Sequence, residues 1–245
     1  MTVFRLIPVL DLQGGQAVHA VRGDRENYRP LLGRYAPSSS PTEILASLAS
    51  VLPHRIAYVA DLDRILGKGD NLHLLEEAAA AGWTFWIDAG LRDSFPILTA
   101  TPMIAGTETV RSPDALGLMI TSLESALIVS VDLRGGQPLH VHGSDWPKES
   151  AVSLLNRVAA LGARRIILLD LAVIGSLEGP SHLDLARFCK KKHPRLELYL
   201  GGGIRGPADV LNCQRAGLDG VLVATALQSG ALDELLKFQP FSQGA

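Results

Sequence analysis

Mostly apolar runs recur along the chain, and longer polar segments separate them. The runs do not alternate between apolar and polar positions, which is typical of strands that are buried on both faces of a sheet. Eight runs have this character. They cover residues 6–10, 56–60, 84–87, 103–105, 127–131, 165–169, 196–200 and 220–223.

Helical signals lie between the apolar runs. Ser40-Pro41-Thr42-Glu43 has the pattern of a capping box with proline at the first helical position, and it predicts a helix over residues 43–52. Residues 71–81, which end at Gly82, predict another helix. Strands that alternate with helices indicate right-handed βαβ units and therefore a parallel sheet.

The chain also repeats part of its own sequence after about half its length. Residues 11–16, Asp-Leu-Gln-Gly-Gly-Gln, return as residues 132–137, Asp-Leu-Arg-Gly-Gly-Gln. Later segments recur in the same order, for example residues 89–92 as residues 202–205. Each half of the chain therefore contains four comparable strand–helix units.

Two architectures fit this alternation, a closed barrel and an open doubly wound sheet. Duplication favours the barrel, because two sets of four units close naturally and an open sheet has no reason to duplicate in this way. The length of 245 residues also agrees with the usual size of a (β/α)8 barrel, about 250 residues. We therefore predict one α/β domain, a (β/α)8 TIM barrel built from similar half-barrels at about residues 1–122 and 123–245.

Composition excludes several classes of function. Hydrophobic residues make up 47% of the chain and charged residues 20%, as in ordinary globular proteins. The net charge of -2 leaves no basic footprint for nucleic acid. The two cysteines, Cys189 and Cys213, lack metal-ligand spacing and are too few for a disulfide framework. Residues 1–10 lack the basic and long apolar regions of a signal peptide, and no apolar run reaches about 20 residues, so we expect neither secretion nor a membrane span. We expect a cytoplasmic protein without a cofactor, metal, membrane or nucleic-acid partner; its oligomeric state stays open.

Two aspartates are the candidate catalytic residues. Active sites of such barrels lie at the C-terminal ends of the strands. Asp11 follows the first apolar run and Asp132 the fifth, so the two face each other across the barrel mouth. Such a pair can divide the acid and base roles of proton transfer at a sugar carbon. Alternatively, each aspartate caps the Gly-Gly turn that follows it.

Glycine-rich segments after the third and seventh runs are candidate phosphate cradles, because exposed backbone N–H groups bind anions. The loops after strands seven and eight are the usual phosphate site of these barrels, and the duplication predicts a second cradle opposite. A ligand with a phosphate group at each end is therefore expected. The candidate residues are Ala89, Gly90, Arg92, Gly106, Thr107, Gly202, Gly203, Ala224 and Thr225.

Further ligand contacts are less certain from the sequence. His19 and His140 lie beyond the strand ends and either meet a ligand or point at water. Trp146 either stacks on a flat ligand ring or covers the edge of the core. Asp170, after the sixth run, orients polar groups or caps a turn, and Arg205 follows the seventh run.

The motifs together resemble the histidine-biosynthesis barrels, ProFAR isomerase and the cyclase subunit of imidazole glycerol phosphate synthase. The resemblance covers almost the whole chain. It rests on Ile7-Pro8-Val9-Leu10-Asp11-Leu12, Asp61-Leu62-Asp63, Gly106-Thr107-Glu108-Thr109-Val110 and Gly202-Gly203-Ile204. It implies an aldose–ketose isomerase that catalyses an Amadori rearrangement of a phosphorylated sugar derivative, with Asp11 and Asp132 as the acid–base pair.

The sequence departs from the family pattern after strand six. Where the family has Thr-Asp-Ile and then Asp-Gly-Thr, this chain has Leu169-Asp170-Leu171 and then Ile174-Gly175-Ser176. Asp88-Ala89 stands for a glycine pair, Ala224 for a glycine and His19 for an arginine. These changes indicate a diverged member with a non-standard substrate, such as one with a less polar ring.

A second hypothesis stays open beside the enzyme. A diverged barrel of this kind could bind a phosphorylated metabolite or a partner without isomerase activity, and a link to one-carbon carriers such as methanofuran or tetrahydromethanopterin is conceivable for it. Fold alone does not distinguish these hypotheses. No lysine ends a strand, which argues against Schiff-base chemistry.

Overall fold

The computed structural model describes residues 3–91 and 101–238. Within these residues, eight parallel strands form a closed barrel with helices around it. The barrel strands are β1 (Arg5–Gln13), β2 (Ile56–Asp61), β3 (Thr84–Asp88), β4 (Met103–Gly106), β5 (Leu127–Arg134), β6 (Arg165–Asp170), β7 (Glu197–Gly201) and β8 (Gly220–Val223). The predicted (β/α)8 TIM barrel is therefore confirmed.

Helices follow the strands, and most of them pack on the outside of the barrel. They are α1 (Pro41–Ala49), α2 (Leu62–Leu66), α3 (Glu76–Ala80), α4 (Pro113–Leu123), α5 (Ala151–Ala160), α6 (Leu183–Lys192), α7 (Pro207–Arg215), α8 (Thr225–Gln228) and α9 (Asp233–Phe238). Among the described helices, none is long and apolar enough to cross a membrane.

Each strand pairs with its neighbour in sequence, and β8 pairs in parallel with β1 to close the sheet. The register of this closure joins Arg5 to Gly220 and Pro8 to Val223. β1 and β5 extend beyond their predicted ends because each folds back into a short antiparallel hairpin, in which Asp11 pairs with Val18 and Leu133 with Pro138. The longest strands thus carry the two candidate catalytic aspartates.

The apolar side chains form two layers. The larger layer lies between the strands and the helices, and the smaller one fills the barrel interior. In the interior, Trp86 meets Tyr199 edge-on, with their ring centroids 4.8 Å apart. Because Ile7, Ile128 and these two rings fill the barrel interior, a ligand has room only at the mouth.

Two predicted helices differ in detail from the structure. α1 begins at Pro41, but the Glu43 carboxylate accepts a hydrogen bond from Ser38 at 2.6 Å instead of closing the capping box on the Ser40 amide. The helix expected over residues 71–81 begins as a 3-10 turn and becomes α-helical only at α3. The cause is Asn71, whose backbone and side-chain N–H groups both donate to Asp61 at 2.8 Å.

A buried ion pair at the N-terminal end of the barrel joins α6 to Asp219, the residue that precedes β8. Lys190 Nζ lies 2.7 Å from Asp219 Oδ2, and the two side chains are only 14% and 9% exposed. Asp219 also accepts a hydrogen bond from the Leu198 amide at 2.9 Å. In the same helix, Arg187 pairs with Asp184 where both side chains are largely exposed.

Replacing Lys190 with methionine should lower the free energy of unfolding by about 3 kcal/mol, because it leaves the buried Asp219 carboxylate without its cation. Arg187→Met is the matched control and should change stability by no more than about 1 kcal/mol, because exposed ion pairs contribute little. Urea unfolding measures both values. Equal effects of the two substitutions would contradict the structural role of Lys190.

Candidate active site

Asp11 and Asp132 line one cavity at the C-terminal mouth of the barrel. The cavity has a volume of about 210 Å³. Its charged side chains come from β1 to β5 and the loops that follow them, and the wall from β6 to β8 and their loops is mainly apolar. The two carboxyl groups therefore share one cavity at the barrel mouth, as the sequence predicts.

Asp132 is held in place by neutral donors. The Ser130 hydroxyl donates to Oδ1 at 2.5 Å, and the Glu108 amide donates to Oδ2 at 3.2 Å. Thr107 Oγ1 accepts from the Asp132 amide at 3.0 Å. At Gly106, an added Cβ atom would lie 2.8 Å from Asp132 Oδ2, so this glycine leaves the room that the carboxyl group occupies.

Asp11 is less restrained. Within the described part of the chain its carboxyl group has no hydrogen-bond partner. Burial, followed by the negative charge of Asp88, raises the pKa of Asp11 from 3.8 to about 7, while Arg25 acts in the opposite direction. Asp11 therefore changes its charge near neutral pH, where acid–base catalysis is most effective.

The pKa of Asp132 is raised as well. Burial and the nearby Glu108 raise the pKa of Asp132 well above its ordinary value, and the Ser130 and Glu108 hydrogen bonds only partly oppose this. Two neighbouring carboxyl groups in different environments can act as base and acid at one pH.

The Gly-Gly turn after β1 is not capped by Asp11. The Gly14 amide donates to Asp63 Oδ2 at 2.6 Å, and the Gly15 amide donates to Asn71 Oδ1 at 2.9 Å. The loop after β2 thus holds this turn and leaves the Asp11 carboxyl group free.

The equivalent turn after β5 is held in the same way. The Gly135 and Gly136 amides donate to the Asp170 carboxylate at 3.0 and 3.3 Å, and His182 Nε2 lies 2.6 Å from it. Hydrogen bonds lower the pKa of Asp170, although burial opposes them. Asp170 is therefore a structural anchor, and capping by Asp132 does not account for this turn.

The second-half phosphate candidates line the cavity. These are Gly202, Gly203, Ala224 and Thr225. Gly203 has a φ of 77°, and a Cβ atom there would lie 2.1 Å from the Gly179 carbonyl oxygen, so the tight turn requires glycine. His19 Nε2 lies 3.1 Å from Thr225 Oγ1, which places His19 beside this segment and outside the cavity wall.

The first-half phosphate candidates are placed differently. The Gly90 amide already donates to Asp88 Oδ1 at 3.1 Å, and the Thr107 amide donates to the Ser130 carbonyl at 2.9 Å. Arg92 lies outside the described residues. Among those described, the following candidates are not part of the cavity wall: Ala89, Gly90, Gly106 and Thr107.

Three other candidates point away from the cavity. Arg205 forms a two-pronged ion pair with Asp209, at 2.7 and 2.9 Å, at the outer rim. The ring of Trp146 is buried, donates to the Val110 carbonyl at 2.7 Å and stacks on His140 with ring centroids 5.0 Å apart. Trp146 and His140 therefore cover the edge of the core.

Several cavity residues were not singled out from the sequence. Arg25, Tyr58, Glu108 and Arg134 line the cavity together with Asp88, and Arg25 lies 3.4 Å from a Glu108 oxygen. Asp88 did carry a signal, since it directly follows a predicted strand. Tyr58 carried none, because it lies within an apolar run. In the described residues, no group of three or more His, Cys, Asp or Glu side chains is arranged to hold a metal ion.

The raised pKa of Asp11 predicts a pH-dependent cost in stability. Relative to Asp11→Asn, the wild type should lose stability as the pH rises from about 4 to about 7, because the native state keeps a proton that the unfolded chain has released. The free energies of unfolding of the two proteins are compared by urea denaturation at about pH 5 and about pH 8. Asp184→Asn, at an exposed helix position, is the control. A difference that is the same at both pH values would show that the Asp11 pKa is not raised.

Comparison with known sequences identifies the family of the chain. Residues 5–233 match the family model described as histidine biosynthesis protein. A ProFAR isomerase of Thermus thermophilus is 32% identical over 238 residues, covering 93% of this chain and 96% of the relative. One from Acetivibrio thermocellus is 26% identical, covering 93% and 95%. An uncharacterized protein of Methanocaldococcus jannaschii is 29% identical, covering 94% and 95%. Because the family model matches nearly the whole length, the chain belongs to the histidine biosynthesis protein family.

Proposed function

We propose that the protein is an aldose–ketose isomerase that rearranges a phosphorylated sugar derivative by acid–base chemistry. One observation carries this proposal: Asp11 and Asp132 face one cavity that the Gly202–Gly203 and Ala224–Thr225 segments also line. The relatives named ProFAR isomerase support the reaction class.

In the proposed reaction, Asp132 donates a proton to the ring oxygen as the bond between C1 and that oxygen breaks and the amino nitrogen on C1 forms a double bond to C1. Asp11 then removes the proton from C2, which gives an enolamine. C1 takes up a proton and the C2 hydroxyl group releases one, which leaves the aminoketose. The pKa of about 7 lets Asp11 take up and release a proton near neutral pH, and the raised pKa of Asp132 favours a protonated carboxyl group that can donate. The hydrogen bonds that fix Asp132 also keep its carboxyl group oriented for transfer.

The phosphate group of the substrate would bind at the end of β7 and β8. The Gly202–Gly203 turn brings backbone close to the cavity, and Thr225 adds a hydroxyl group. Among the described residues, the opposite side of the cavity presents Arg25 and Arg134 beside Asp88 and Glu108. The second phosphate site expected from the duplication stays a prediction.

The apolar wall indicates the character of the rest of the substrate. Leu169, Ile174 and Leu222 line the cavity beside the candidate phosphate segment. These side chains cannot hydrogen-bond to sugar hydroxyl groups, but they can pack against a flat ring. We propose that the substrate differs from ProFAR in having a less polar group at this position.

The apolar wall also favours a second candidate function. A cavity with Leu169 and Ile174 at its mouth could bind a phosphorylated metabolite without rearranging it. Neither the described residues nor the relatives support a link to one-carbon carriers.

Steady-state turnover of ProFAR by the purified protein tests the proposed reaction. ProFAR serves here as a surrogate for the proposed, less polar substrate. The wild type should turn it over, and Asp11→Asn and Asp132→Asn should each lower kcat by a factor of about 100 or more, because each removes one acid–base group. Asp184→Asn, at an exposed helix position, should retain full activity.

Full turnover in either active-site variant would contradict the assigned roles. If the wild type shows no turnover but is stabilised against heat by ProFAR, the protein binds the ligand without isomerising it.

A further inference from the structure

A third carboxyl group, that of Asp88, lies in the cavity with Asp11 and Asp132. The hydroxyl group of Tyr58 donates to Asp88 Oδ2 at 2.9 Å, and the Gly90 amide donates to Oδ1 at 3.1 Å. Tyr58 is buried, and it also lines the cavity. Both carboxylate oxygens of Asp88 therefore have a neutral donor, which favours one orientation of the side chain.

Comparison of the two half-barrels shows that Asp88 and the residue at the equivalent position have neighbours of different size. Asp88 corresponds to Gly201 of the second half, and each pairs in register with a residue on the preceding strand, Ala60 for Asp88 and Leu169 for Gly201. A Cβ atom at Gly201 would lie 2.7 Å from Leu169 Cδ1. The second half thus combines a large neighbour with glycine, and the first half combines a small neighbour with aspartate.

Because of these differences, the side of the mouth at Asp88 is charged and the side at Gly201 is apolar. Ala60, the partner of Asp88, has a small side chain, whereas Leu169 lies where a Cβ atom at Gly201 would have to go. Because buried carboxyl groups are costly, an aspartate that is needed only to join β2 to β3 would be an unfavourable choice here. The arrangement therefore points to a role for its charge.

The groups that surround Asp11 come from each neighbouring element. Asp88 from β3 and Glu108 after β4 are acidic, Asp132 and Arg134 belong to β5, and Arg25 belongs to the loop after β1. The two phenol groups in the cavity wall are Tyr28 and Tyr58.

We propose that Asp88, held by the Tyr58 hydroxyl group, is a positioning residue of the acid–base site whose negative charge makes Asp11 a stronger base. The proposal rests on the proposed function in taking Asp11 as the base. After burial, Asp88 is the largest influence that raises the pKa of Asp11. Burial raises the pKa of Asp88, and the hydrogen bonds from the Gly90 amide and the Tyr58 hydroxyl group act against this rise and favour the charged form.

Carbon-13 NMR of protein labelled at the aspartate carboxyl groups tests the proposal without any substrate. The Asp11→Asn variant identifies the Asp11 resonance. Asp88→Asn should lower the pKa of Asp11 from about 7 towards its usual range, because the substitution removes the negative charge. Tyr58→Phe should shift the pKa of Asp11 in the same direction by less, because Asp88 is then less readily ionised.

Asp24→Asn is the matched control, since Asp24 is an exposed residue in the loop after β1. It should leave the pKa of Asp11 unchanged. An unchanged pKa of Asp11 in Asp88→Asn would overturn the proposal, and Tyr58→Phe decides the question if the Asp88 variant does not fold.

Turnover gives a second readout that separates this proposal from the proposed function. If the wild type isomerises ProFAR, the acidic limb of its kcat/KM profile should move to lower pH in Asp88→Asn, because a base with a lower pKa is ionised at lower pH. A purely structural role for Asp88 would lower activity without moving the limb. If there is no turnover, the proposed function fails while the NMR result still decides the role of Asp88.

Discussion

Closure of the sheet by the pairing of β8 with β1 is the constraint on which the rest of the molecule depends. Parallel strands in a closed barrel have no free edge, and their C-terminal ends all surround one mouth. Asp11 and Asp132 are far apart along the chain, but β1 and β5 stand on opposite sides of the barrel. Because large side chains such as Trp86 and Tyr199 fill the barrel interior, the space between the two carboxyl groups at the mouth is the place where a ligand fits.

The electrostatics of the mouth follow from this closure. Carboxyl groups that are removed from water and placed near one another resist ionisation at neutral pH, so the pKa values of Asp11 and Asp132 rise. Neutral donors hold Asp132 and Asp88, whereas Asp11 is unrestrained within the described residues. The raised pKa of Asp11 lowers stability at neutral pH, and such a cost is common at active sites.

The periodicity and the internal repeat were sufficient to predict the barrel, its strands and the meeting of Asp11 with Asp132, because the backbone path determines where strand ends lie. They could not predict which way side chains beyond the strands point. Arg205 turns to Asp209 and Trp146 packs on the core, although both follow strands as a ligand contact would. The hydrogen bond between Tyr58 and Asp88 joins side chains of neighbouring strands, a relation that no local pattern reveals.

The central claim is that Asp11 and Asp132, at the barrel mouth, catalyse proton transfer between neighbouring carbons of a phosphorylated sugar. NMR of ProFAR incubated with the protein in deuterium oxide tests it most directly, because a proton removed by a carboxylate exchanges with solvent before it is returned. The account predicts that deuterium appears at the sugar carbon that receives the proton, and that it does not appear with the Asp11→Asn protein. Product that contains no deuterium, or exchange that persists without the Asp11 carboxylate, would contradict it.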